Sequence, residues 1–159
     1  MKQQMADARP AAGGEPAATA YDKDVILWAE EQARYLREGR FSELDIEHLA
    51  DEIEDVGRSE KRELASRMAV LLAHLLKWRL QPERRSRSWR TTIADQRRKI
   101  EVALRATPSL ETTLRDPIWQ EEMWLDARTR AREETGLDAM PDACPWPMED
   151  VRDPDFWPE

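Results

Sequence analysis

The chain has 159 residues, 33 acidic against 25 basic side chains, and a net charge of -8, with 40% of its residues hydrophobic. That is enough for one domain with a core of its own. A pI near 5.0 argues against general nucleic-acid coating but leaves room for a local basic site, and the single cysteine excludes an intrachain disulfide and fits a reducing cytoplasm.

No apolar run approaches the roughly 18 residues that a bilayer span needs, and the first residues lack the apolar stretch of a secretion signal. Few glycines among long blocks of Ala, Leu, Glu, Arg and Gln predict an all-α fold. The expectation is a single-domain bundle of about five helices.

Residues 1–20, rich in Ala, Gly and Pro, are expected to form a disordered leader. Residues 21–136 are expected to form the bundle. Its first helix runs from Tyr21 to Gly39. Asp22 or Asp24 caps it, Val25, Trp28, Ala29, Gln32 and Leu36 share a face, and Gly39 ends it. Ser42 predicts the cap of a second helix reaching Val56, where Ile46, Leu49, Ile53 and Val56 form an apolar stripe. That segment carries seven carboxylates and no Lys or Arg, and Gly57 is expected to break it.

A third helix, Ser59 to Leu80, has the seam Leu64, Met68, Leu71, Leu75 and Trp78 and is stopped by Pro82. Ser86 or Ser88 starts a fourth helix, ending near Ala106, with Trp89, Ile93, Gln96, Ile100 and Leu104 inward. A short turn follows with Ser109 as cap. Pro117 opens a last long helix that Gly136 closes. Residues 137–159 carry five prolines with Trp146, Phe156 and Trp157 among them, which predicts an extended tail lying over the bundle.

Several unusual blocks occur in a fixed order: YDKDVILWAEEQARYLREGRF, LDIEHLADEIEDVGRSEKREL and LLAHLLKWRLQPERRSRSWRTTI, then PSL, ETGL, CPW and DPDFWP. Together they resemble the bacterial helical family called domain of unknown function, family 29, from Tyr21 to Pro158. The resemblance implies an all-helical, soluble bacterial protein and supplies no catalytic residues.

The chemistry concentrates in QPERRSRSWR. Between Lys77 and Arg105 stand ten basic residues against three acidic ones. Arg84, Arg85, Arg87 and Arg90 suit bidentate pairing with carboxylate or phosphate. Ser88 and the start of the fourth helix add donors for an anion, and Trp89 a stacking face. Two kinds of partner suit them. One is the acidic 43–55 segment, within the chain or across a dimer. The other is nucleic acid or a small anion.

Glu52 and His74 suggest a buried hydrogen-bonded pair between the second and third helices, or less readily a metal pair. The chain has two histidines, and Glu-x-x-His motifs on two helices are missing. His48 is expected near the surface beside Asp51 and Glu52. Cys144 has acidic sequence neighbours, the wrong sign for a nucleophile, and is expected to pack with Trp146. No phosphate loop, Ser-His-Asp set or Cys-x-x-Cys pair is present. No catalytic residue, metal or cofactor is assigned. The leading expectation is a cytoplasmic, non-catalytic interaction module that binds a protein partner or itself, not a membrane. The alternatives are nucleic-acid or phosphate binding at residues 84–90 and, third, a bundle metalloenzyme.

Overall fold

The structure is a computed structural model that describes residues 18–159. The leader expected over residues 1–20 therefore lies mostly outside the described residues, although Thr19 is tied down: its backbone N–H donates to Glu31 at 2.8 Å. Among the described residues there are six α-helices and no strand: α1 (Val25–Glu38), α2 (Ile46–Leu80), α3 (Arg87–Ala106), α4 (Leu110–Arg115), α5 (Pro117–Thr135) and α6 (Met148–Arg152). The fold is all-α. Its contacts divide the chain into two compact units, Met1–Ile53 and Glu54–Glu159, and the division falls inside α2.

The second and third expected helices are one. Gly57 lies within α2, and only Gly39 and Gly136 take the positive φ of a terminating glycine. A lone glycine in a helix costs about 1 kcal/mol relative to alanine, which the strong helix formers around it outweigh. Since the chain does not turn at Gly57, the stripe expected to pack in a bundle is left largely bare: Ile46, Ile53 and Val56 are exposed, and Leu49 is half-buried.

In the first unit Asp24 caps α1, accepting from the Leu27 N–H at 3.0 Å, and Gly39 ends it at φ 71°. Ser42 does not cap α2. It sits in a 3-10 turn, and the Asp45 carboxylate accepts from the His48 N–H at 3.3 Å instead. The buried face of α1 is Trp28, Gln32 and Tyr35, whereas Val25 and Leu36, expected inward, are exposed. Trp28 donates to Asp45, and Gln32 accepts from the Asp45 N–H. Tyr21 stacks on His48 with ring centroids 4.2 Å apart.

The second unit holds the apolar core. Leu64, Met68, Leu71, Leu72, Leu75 and Leu76 of α2 are fully buried, as the seam predicts. Ile93, Ile100 and Leu104 come from α3, Leu110 and Leu114 from α4, and Met123 and Trp124 from α5. Ala127 and Ala131 on α5 are small and fully buried, which lets neighbouring backbone approach. Ser86 caps α3, and Asp116 with Pro117 starts α5. Ser109, expected as a cap, makes no capping hydrogen bond.

Residues 137–159 join this core through Met148 and Val151 of α6. Arg97 of α3 reaches them from below: its guanidinium donates to the carbonyls of Val151 (2.9 Å), Pro154 (3.3 Å) and Phe156 (2.8 Å). Trp124 donates to the Pro141 carbonyl at 3.1 Å, and Trp157 lies 4.7 Å from Trp78.

Candidate functional site

The corner between α2 and α3 is built by backbone chemistry. Pro82 cannot continue α2, so residues 82–84 take one 3-10 turn, Arg85 is extended, and the Ser86 hydroxyl accepts from the Trp89 N–H at 3.2 Å to start α3. Six of the ten residues in this stretch are arginine or serine, and Arg84, Arg85, Arg87, Ser88 and Arg90 are all exposed. Among the described residues of this unit none of the four arginines forms an ion pair.

Two of them are nevertheless held in place. Arg85 donates to the Trp78 carbonyl at 2.8 Å and lies 4.9 Å over the Trp78 ring. Arg90 lies 5.3 Å from the Trp78 centroid and 5.8 Å from that of Trp157. Arg97 lies 5.6 Å from the Trp157 centroid as well. Cations and indole rings thus alternate as Arg85, Trp78, Arg90, Trp157 and Arg97. An indole face attracts a guanidinium without neutralising it, so Arg85 and Arg90 are oriented and still carry full charge toward solvent.

Trp89 is half-buried and carries Lys77 at 4.9 Å over its ring. The ring expected to stack a base already has a cation on it. Sequence reasoning missed Trp78 and Trp157 as the aromatic partners. Trp78 has a local signal, seven residues before Arg85. Trp157 has none, since only the folded tail brings it here.

The acidic segment has partners close by in sequence. Glu43 pairs with Arg40, which holds its carboxyl below the usual range mainly through that hydrogen bond. Asp45 pairs with His48 at 2.7 Å. Glu54 and Asp55 pair with Arg58. The cations missing from within the segment are supplied by its two flanks.

A family model described as Domain of unknown function DUF29 matches residues 20–157. The chain belongs to this family. No curated protein and no solved structure matches it. Among the described residues of this DUF29 chain, no helix is long and apolar enough to cross a membrane.

In this DUF29 chain Glu52 and His74 lie on one helix, roughly six turns apart along it, so they do not face each other from two helices. Glu52 accepts from the Tyr21 hydroxyl. His74 Nδ1 lies 2.9 Å from the Val70 carbonyl, which makes that nitrogen the donor, and its Nε2 faces Lys77 Nζ at 3.4 Å. Lys77, almost fully buried, pairs in turn with Glu134. Burial pushes the His74 pKa down, and the Lys77 charge adds to this. An ammonium at its one free nitrogen opposes a metal cation there. Among the described residues no three His, Cys, Asp or Glu side chains group as metal ligands. Cys144 is half-buried, donates weakly to the Trp146 carbonyl at 3.5 Å, and burial pushes its thiol pKa up.

Proposed function

We propose that this DUF29 chain is a non-catalytic interaction module of the bacterial cytoplasm. It docks a carboxylate-rich protein surface, on another protein or a second copy of itself, through Arg84, Arg85, Arg87 and Arg90. The observation that carries the reading is the state of those arginines: exposed, without an ion pair among the described residues of their unit, and two of them oriented on Trp78 and Trp157. Preset guanidinium forks lose less side-chain freedom on pairing with carboxylates. Such complementarity acts on specificity and association rate more than on affinity.

Nucleic acid is the second reading, favoured by the same four charges. The aromatic faces weigh against it, because Trp78, Trp89 and Trp157 already carry cations. A protein that tracks single strands leaves such faces for bases.

Recovery of partners from bacterial lysate, with and without nuclease, beside an Arg84/Arg85/Arg87/Arg90→Ala variant, tests this. The expected result is a discrete protein, or a concentration-dependent dimer by light scattering, that survives nuclease and is lost in the variant. Nucleic acid recovered by the native chain and lost in the variant would establish the second reading instead. A partner retained by the variant would move the docking surface elsewhere.

A further inference from the structure

A second basic feature lies on α3 and uses none of the corner's four arginines. A groove of about 330 Å³ runs along Ala94, Arg98, Glu101, Val102 and Arg105, and the tail closes it with Arg152, Pro154 and Trp157, with Arg97 also in its wall. This is at the small end of the roughly 300–1,000 Å³ typical of ligand sites. Its surface is mostly carbon. Val102 is 54% exposed, and the Trp157 ring and Pro154 line the groove with it.

Its charge is one-sided. Four guanidinium groups line it against one carboxylate, Glu101, and Arg152 already holds that carboxylate at 2.8 Å. Arg98 is partnered by Asp95 outside the groove, and Arg105 has no ion pair among the described residues. Arg97 is the unusual member. It is 4% exposed, and its hydrogen bonds go to three neutral carbonyls rather than to a carboxylate. The one carboxylate that offsets its charge is Asp153, which does not line the groove, and burial still pulls the Arg97 pKa down; a counter-charge placed beside it in a low-dielectric wall is worth more than one in water.

We propose that this groove binds a small amphiphilic anion, a carboxylate or phosphate head on a short aliphatic or aryl body. The head sits among Arg97, Arg98 and Arg105. The body lies on Val102, Pro154 and Trp157. Because the tail supplies Pro154 and Trp157, occupancy also ties residues 154–157 to α3.

The probe is sodium octanoate, with 1-octanol as its uncharged and octylamine as its cationic counterpart. Each is titrated into the isotopically labelled full chain and followed by NMR at the Ala94 and Val102 amides and the Trp157 indole. Octanoate should move these signals saturably, octylamine should not, and octanol should bind about tenfold more weakly, the size of one lost charged hydrogen bond. Arg105→Gln changes an exposed side chain in the last turn of α3 and should lower the melting temperature of the free protein by no more than a few degrees while weakening octanoate about tenfold; an Arg105→Glu variant should weaken octanoate at least as much. Equal binding of octanol and octanoate, an unaffected Arg105→Glu variant, or shifts that miss Val102 and Trp157 would each overturn the proposal. Octyl phosphate binding like octanoate would extend it to phosphate heads. Sedimentation on phosphatidylglycerol vesicles with no response to free octanoate would overturn it in favour of a lipid surface.

Discussion

Arg97 shows how one side chain does two jobs. Its three donors satisfy carbonyls that the prolines of the tail leave without a backbone partner, since a proline has no N–H to give. Arg97→Met keeps the apolar stem and removes all three bonds at once. It should lower the unfolding free energy by about 3 kcal/mol, read by urea denaturation, and open the peptide bond after Arg152 to trypsin.

His74 makes a prediction of the opposite kind. Its folded-state pKa is depressed from about 6.5 by burial. The unfolded chain therefore takes up the proton first as pH falls, and stability present above 6.5 is lost below it. The melting temperature should begin to decline as pH falls below about 6.5, before most carboxylates titrate. His74→Gln should flatten that decline.

Helix ends followed local chemistry where a cap side chain and a stop residue agreed, as at Asp24 with Gly39 and at Asp116 with Gly136. They failed where one signal stood alone. Gly57 has the composition of a break, but it lies among strong helix formers and the helix continues through it. A Cβ at Gly57 would meet no atom within 4 Å, and its φ is not in the left-handed region. Gly57→Ala should therefore raise stability by about 0.5–1 kcal/mol, measured as a shift in denaturant midpoint at constant m. A loss of stability would mean that the glycine serves a bend the free helix does not show.

Across the whole molecule, charge is arranged in two ways. Four of the seven carboxylates of residues 43–55 have a basic side chain close by in sequence, Glu43 with Arg40, Asp45 with His48, and Glu54 and Asp55 with Arg58. The arginines at 84–90 are answered within their unit by indole faces and a carbonyl. The second arrangement leaves the guanidinium charges without a carboxylate among the described residues of their unit. This difference supports the proposed docking surface at the arginines, and screening should weaken it: raising salt from about 50 to 200 mM should lower partner affinity severalfold, measured by titration of the recovered partner.

The sequence alone determined the all-α class, the buried seam from Leu64 to Trp78, the identity of the basic corner and the family. The first three rest on periodicity, composition or neighbouring residues, and the family on the resemblance of its ordered blocks, all of which a linear chain displays directly. Only the tertiary structure decided that Gly57 is passed over and that Ile46 and Ile53 face outward, and it alone showed Trp157 beside Trp78 and Arg97 clasping the tail. Those facts depend on contacts between residues more than fifty positions apart, or on the free-energy balance of a whole helix, and no local pattern encodes either.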